Sequence, residues 1–438
     1  MSIEKLPIET NTQQAEQQPD NHIHRETIPQ TPPLQSQPQP AWYSAFTPWW
    51  DATRASLPTF IVTRIVFLLL TYFGVVLFTV SNYSNQALSF HTLIYGWYRW
   101  DAIRFSTIAA QGYISFDYSA FFPLYPWLIR AVSTLLHKNT FLVGMVLSNL
   151  AFLGTMIVFY RFVESEFDTD TARRATLYLA IFPTALFFFA AYNESLFIFL
   201  TLLFFYALRR RSWWLAGLFG GLATLTRSIG LFLLVIFCCE FIRQMWPSIR
   251  LTWQTKNLRH GLRILSSFCA ALLIPLGMGV FAYYLNLRFH DPLAFSHAQT
   301  NWRLNLSAPW YSPLLSIQTI LSHSPFTFVT THNLIDLTMF LIFFALMILS
   351  LLGPERFSND QWSLILFGFM AVLYSLFFPG KNAYPFLSME RFVLEVFPAF
   401  IVLARLGRRP WFHQSYLLIA LPMLAFFTLQ FINGHTTV

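Results

Sequence analysis

Long apolar runs, broken by short polar punctuation, recur along most of this chain. Each is near the roughly 17–25 residues that a helix needs to cross a bilayer. They predict spans over 57–80, 140–160, 174–191, 195–208, 213–226, 229–243, 263–285, 335–352, 362–378, 391–404 and 415–432, about 11 in all on the apolar-run criterion. Several are short for a full crossing and read as tilted, re-entrant or extended by a few residues. Two longer stretches, 81–139 and 286–334, separate spans as loops. Trp97–Ala110 is amphipathic at helical spacing, so the first loop should hold interfacial helices. Pro309, Pro313 and Pro325 punctuate the second. The pattern predicts an all-α polytopic membrane protein.

Residues 1–48 break this pattern. They are rich in Gln and Pro (Gln13-Gln14, Gln17-Gln18-Pro19, Pro29 through Pro40) and poor in aliphatics, which predicts a disordered tail on the cytoplasmic side. The tail lacks the apolar core and cleavage site of a signal peptide. Its His22 and His24 have no spaced partners and read as solvated. Two regions follow, a tail over 1–48 and a transmembrane domain over 49–438. The aromatic stretch Ala41–Trp50 is expected in the headgroup layer before the first span.

Composition agrees with the pattern. The chain is 55% hydrophobic and 11% charged, with 49 Phe and 14 Trp; a soluble domain carries about 25% charge. Its mean hydropathy is +0.49. The formal net charge is +8. Basic residues concentrate in one set of loops: Arg161, Arg173 and Arg174, Arg209–Arg211, Arg243 through Arg263, Arg356, and Arg405 through Arg409. That bias places the N-terminus inside and the two long loops outside or in a lumen. No soluble basic domain exists to bind nucleic acid. Cys238, Cys239 and Cys269 lie in apolar helices and read as small buried hydrophobes.

Four polar patches fall on the outer side. The first is Arg99–Pro126, R-W-D-A-I-R-F-S-T-I-A-A-Q-G-Y-I-S-F-D-Y-S-A-F-F-P-L-Y-P. Asp101 stands at a membrane edge, where charge is costly. It can accept a proton from a hydroxyl, bind a metal, or pair with Arg99 or with Arg104, three residues on and on the same helix face. Gly112-Tyr113 reads as a helix stop and Phe121–Pro126 as a stiff aromatic turn. The second patch is Tyr192-Asn193-Glu194-Ser195. Asn193 can cap the following helix and Glu194 favours its first turn, or Glu194 serves a site. The third is Leu222–Gly230, where Arg227 needs an anion: lipid phosphate, substrate phosphate or Glu194. In the fourth, Ser388–Phe392, Arg391 is a phosphate candidate beside Glu390, with an Arg391–Glu395 pair as the alternative. His290, Asp291, His297 and His332 lack the spacing of a metal site.

These patches, in this order, resemble the PIG-V-like mannosyltransferases. That family belongs to the GT-C superfamily of multi-pass glycosyltransferases and is related to the second mannosyltransferase of glycosylphosphatidylinositol (GPI) anchor synthesis. The resemblance rests on R-W-D-A-x-x-F-x-x-I-A-x-x-G-Y…A-F-F-P-L-Y-P at 99–126, A-Y-N-E-S-L-F at 191–197 and T-R-S-x-G at 226–230. It covers about 57–280 well and the C-terminal half loosely. It implies a GT-C-type fold and a polyprenyl- or dolichyl-phosphate sugar donor, with mannose as the sugar and inversion at the anomeric carbon. The acceptor would be a GPI-like glycolipid or another glycan. Asp101 would be the general base. Arg104, Tyr113, Glu194, Arg227, Glu390 and Arg391 would bind substrate or phosphate. No cofactor or metal is expected, because lipid phosphate is itself a good leaving group. One position departs from the pattern: eukaryotic members often carry His where Arg104 stands, and Arg cannot shuttle a proton. The hydrophilic loops are also shorter than in eukaryotic members, which suits a prokaryotic relative. The membrane would then be the plasma membrane, against the endoplasmic reticulum in a eukaryote. A transporter or lipid flippase is the competing reading; it predicts charges at the bilayer midplane and paired broken helices.

Overall fold

The computed structural model describes residues 41–79, 87–304, 306–381 and 383–435. The reading of the tail falls on 1–48, of which 1–40 lie outside the described residues. Helices make up nearly all of the rest. The N-terminal half holds α1 (Ala41–Thr79), α2 (Phe90–Tyr95), α3 (Asp101–Gln111), α4 (Leu124–Leu136), α5 (Thr140–Glu166), α6 (Thr169–Ala180), α7 (Glu194–Arg209) and α8 (Trp213–Thr226). Then come α9 (Phe232–Thr255), α10 (Leu258–Cys269), α11 (Leu273–Phe289), α12 (Ala294–Gln299) and α13 (Tyr311–Ser322). The chain closes with α14 (Phe328–Leu351), α15 (Trp362–Phe377), α16 (Met389–Phe392), α17 (Phe397–Leu406) and α18 (Pro410–Ile432). The only extended pairing among the described residues is an isolated antiparallel bridge between Arg303 and Gly380.

Among the described residues, 7 helices are long and apolar enough to cross a membrane: Thr47–Phe78, Thr140–Glu166, Ser228–Thr255, Leu258–Phe289, Phe328–Leu351, Asn359–Phe377 and Pro410–Ile432. The aromatic stretch before the first span continues into α1 as one helix. The other four expected spans differ. Those over 195–208 and 213–226 form α7 and α8, which have 16 and 14 residues. α7 lies inside the bundle between α5 and α8. The span expected over 174–191 is broken: α6 ends at Ala180 and a short 3-10 turn, Ala185–Phe188, follows. Pro183 explains the break, since it lacks an N–H and disfavours helix at the residue before it. The span expected over 391–404 is split in the same way, with a turn over Val393–Glu395 and Pro398 in the first turn of α17.

Irregular backbone at membrane depth survives only where protein covers it and satisfies its polar groups. Every residue from 181 to 195 is buried. Side-chain donors on α5 reach into this region, and one of its own residues reaches out. Asn149 Nδ2 bonds the Phe189 carbonyl at 3.0 Å and Ser148 Oγ bonds the Tyr192 carbonyl at 2.6 Å. Thr184 Oγ1 bonds the Glu390 carbonyl at 2.6 Å, joining the two irregular segments. Asp336, buried on α14, accepts the Met389 N–H at 2.8 Å and so holds the start of α16.

The two long loops pack on one another. Ser119 donates to the Ala294 carbonyl at 2.8 Å, Asn301 to Asp117 at 3.0 Å and Arg288 to the Tyr113 carbonyl at 3.1 Å. The aromatic turn is pinned from below: Tyr125 donates to the Gly144 carbonyl at 2.8 Å, and Phe105 meets its ring edge-on at 5.1 Å.

Small residues let α8 and α11 touch. A Cβ on Gly217 would clash with the Ala270 carbonyl, one on Gly221 with the Leu273 carbonyl, and one on Gly277 with the Gly221 carbonyl. Glycines four apart on α8 thus form a close helix crossing. Gly221→Leu should lower the thermal midpoint of the purified protein, since overpacking costs about 1–3 kcal/mol. An unchanged midpoint would show that the crossing is looser than described.

Candidate active site

Asp101, Glu194, Arg227 and Arg391 come from four separate segments and meet in one cluster. Asp101 is the first residue of α3, Glu194 the first of α7, and Arg227 directly follows α8. Arg391 lies within α16. Arg391 Nη1 reaches Asp101 Oδ2 at 2.6 Å, and its Nε bonds Glu194 Oε1. Arg227 Nη1 reaches Glu194 Oε1 at 2.7 Å and Glu395 Oε1 at 2.8 Å. Rings steer the guanidiniums. Arg391 lies over Tyr192 at 4.7 Å, while Arg227 and Arg303 flank Phe392 at 5.1 and 5.2 Å. Buried charges are kept where they are paired, and here two arginines pair with three carboxylates, hydrogen-bonding Asp101 and Glu194 and meeting Glu395 as an ion pair.

The backbone that presents the central pair is strained. Trp100, just before Asp101, has φ 43°; Leu387 and Ser388, just before α16, have φ 38° and 69°. Non-glycine residues rarely adopt such values, and surrounding structure must hold them there.

Two cavities of about 150 and 270 Å³ adjoin the cluster. Both are lined by Asp101, Phe121, Gln299, Arg303, Arg391 and Phe392. Asn193, Ser228, Tyr374 and Glu395 line the first, and Trp100 and Tyr192 the second. The walls therefore combine aromatic faces with amide and hydroxyl groups, a surface that suits a sugar. The side chain of Asp101 is 23% exposed, against 0% for Glu194 and 2% for Glu395. Its Oδ2 is engaged by Arg391, and its Oδ1 has no partner among the described hydrogen bonds.

Local spacing suggested other partners at several positions. Arg104 stacks over Tyr118 at 4.9 Å instead of pairing with Asp101. Arg391 leaves Glu395, four residues on, to Arg227. Asn193 makes no cap for α7. Its amide donates to the Thr226 carbonyl at 3.0 Å and its oxygen accepts from Arg227 at 3.4 Å. Tyr113 is buried away from both cavities and donates to the Phe121 carbonyl at 2.7 Å, so it shapes the loop. Glu390 is buried outside the cavities; its backbone N–H meets Asp336 at 3.4 Å, and neither carboxyl oxygen has a hydrogen-bond partner. His297 pairs with Asp291 at 2.7 Å and His332 with Asp336 at 3.4 Å. Among the described residues no three His, Cys, Asp or Glu side chains converge as metal ligands.

The sequence reading missed Arg303, Gln299 and Glu395 as lining residues. Arg303 carried a usable signal: a lone cation beside Trp302 in an outer loop, with no acid within four positions on either side.

A family model described as Mannosyltransferase (PIG-V) matches residues 66–409. GPI alpha-1,6-mannosyltransferase 2 of Mus musculus is 30% identical over 219 residues, 46% of this chain and 42% of the mouse protein. GPI mannosyltransferase 2 of Cryptococcus neoformans is 33% identical over 154 residues, 32% of this chain and 36% of that protein. The alignments thus span less than half of these relatives' own length. Among solved structures, ArnT from Cupriavidus metallidurans bound to undecaprenyl phosphate aligns with a TM-score of 0.46 at 12% identity, covering 82% of this chain and 62% of that one. The family match runs through all four polar patches, and the chain belongs to the mannosyltransferase (PIG-V) family.

Proposed function

We propose that this protein is a membrane glycosyltransferase of the GT-C type. It transfers mannose from a polyprenyl- or dolichyl-phosphate donor to an acceptor hydroxyl on the outer or lumenal side of its membrane. The acceptor is a GPI-like glycolipid or another glycan. The observation that carries this reading is Asp101: a partly exposed carboxylate on the wall of two cavities, held at the edge of a buried arginine–carboxylate cluster. The relatives' names, both GPI mannosyltransferases, support the sugar and the acceptor class.

In this mechanism the acceptor hydroxyl lies against Asp101 Oδ1. Its oxygen attacks the anomeric carbon from the side opposite the phosphate, and Asp101 takes the proton. The bond from the anomeric carbon to the phosphate oxygen breaks, and its electron pair leaves with the lipid phosphate. Configuration inverts. Pairing with Arg391 fixes the orientation of the Asp101 carboxylate. The leaving phosphate gains charge as the bond breaks, so guanidiniums on the cavity wall stabilise the transition state more than the ground state. This chemistry asks for no cofactor. The transporter reading calls for charges at the bilayer midplane and paired broken helices. Two spans are broken, near Pro183 and Pro398, but Asp101, Glu194, Arg227 and Arg391 gather beside cavities at helix ends, with one Asp101 oxygen unpartnered among the described hydrogen bonds, which favours an enzyme.

The test is transfer by the purified protein from a short-chain polyprenyl phosphate carrying labelled mannose, with the product identified by mass spectrometry. A mannosylated acceptor with release of the lipid phosphate is the expected result. Transfer from guanosine diphosphate mannose in place of the lipid donor would overturn the reading.

A further inference from the structure

Arg303 differs from the other two arginines of the cluster in one respect. Arg227 and Arg391 each contact two carboxylates. Arg303, 9% exposed, contacts none. Its Nη1 donates to the Phe378 carbonyl at 2.7 Å; Nε and Nη2 have no partner among the described hydrogen bonds. It nevertheless lines both cavities, and its guanidinium lies over the Phe392 ring.

The position is built with care. Leu304 N donates to the Pro379 carbonyl at 2.7 Å and Lys381 N to the Trp302 carbonyl at 2.8 Å, which stitches the second outer loop to the strand-like stretch after α15. The Arg303 N–H bonds the Gln299 carbonyl at 2.9 Å, one turn back at the end of α12. The side chain therefore leaves a backbone fixed on both sides. A guanidinium desolvated in this way costs free energy unless an anion meets it. Burial depresses its pKa below the ordinary arginine range; Tyr374 and Asp336 oppose this, while the positive charges of Arg227 and Arg391 add to it. Two open donors in a planar fork match two oxygens of one phosphate.

We infer that Arg303 is the anchor for the phosphate of the donor and of the departing lipid monophosphate, while Arg227 and Arg391 serve to hold the carboxylates. This rests on the proposed transfer from a phosphate-linked sugar. It predicts that the cavity binds lipid monophosphate even without acceptor or turnover.

Binding of a short-chain polyprenyl phosphate to the full-length purified protein, measured by calorimetry, tests this, with inorganic phosphate as a second titrant. Arg303→Gln should weaken lipid phosphate binding by about 10–100-fold, the usual worth of one charge-assisted contact. Arg303→Lys, which keeps the charge and loses the fork, should fall between. The Michaelis constant for the donor should rise while that for the acceptor holds. The thermal midpoint of Arg303→Gln should equal or exceed that of the parent, because no carboxylate loses a partner. If inorganic phosphate shows the same dependence on Arg303, the site reads the phosphate alone; if only the lipid form binds, the chain contributes too, and either result supports the anchor. Unchanged lipid phosphate affinity in both variants would overturn it, as would a collapse of the midpoint in both. Binding that depends on Arg303 in a protein that transfers no mannose would instead overturn the reading of function and leave the anchor standing.

Discussion

Arg391→Met should melt well below the parent protein and lose all transfer. Met fills much of the Arg volume, so the loss is chiefly one of charge. It leaves Asp101 without its one ion-pair partner among the described residues and leaves Glu194, fully buried, with Arg227 alone. Removing one member of a buried ionic group typically costs about 3–5 kcal/mol, because the partner stays buried and uncompensated. The control is a double variant, Arg391→Met with Glu194→Gln, which removes the stranded charge together with the arginine. It should recover part of the lost midpoint, and detergent-solubilised thermal unfolding measures both. A single variant that melts like the parent would mean that the cluster is not assembled as described. Loss of the same size in single and double variants would mean that Glu194 does not depend on Arg391.

Asp101→Asn should do the opposite: keep the fold and remove the chemistry. Asn has nearly the shape of Asp, and its carbonyl still accepts from Arg391 Nη1. It cannot take a proton from the acceptor. General-base help is worth about 10²–10⁴ in rate, so turnover should fall by that factor while lipid phosphate binding holds. The measurement is steady-state transfer of labelled mannose, with a thermal midpoint for each preparation. A well-folded Asp101→Asn protein with near-parental turnover would remove Asp101 from the role of base.

Much of this arrangement is legible in the chain. Asp101, Glu194, Arg227 and Arg391 fall on one membrane face when apolar runs and basic loops are read together, and the structure brings all four into contact. What spacing could not give is the identity of the partners. Asp101 and Arg104 share a helix face, and an exposed pair at that spacing is worth only a few tenths of a kcal/mol. Arg391, desolvated and 290 positions away, binds Asp101 instead, and Arg104 turns to Tyr118. Arg303 shows no signal of burial, because nothing local indicates that Gly380 and Phe378 will enclose it. Hydropathy also hid the breaks near Pro183 and Pro398. It reports how apolar a stretch is, and these stretches stay apolar and buried while their backbone leaves the helix.

The separation of Asp101 from Arg391 also bears on how the molecule is made. A ribosome adds about 5–20 residues per second. The 290 positions between the two residues correspond to a delay on the order of 15–60 s. Throughout that interval the nascent chain carries α3 without the cation that Asp101 will face. Glu194 waits a far shorter time, because Arg227 follows it by 33 positions. The cluster thus closes in two stages during synthesis, first Glu194 with Arg227 and last Asp101 with Arg391. Chains cut short before residue 391 would leave Asp101 without the arginine that it faces in the finished protein.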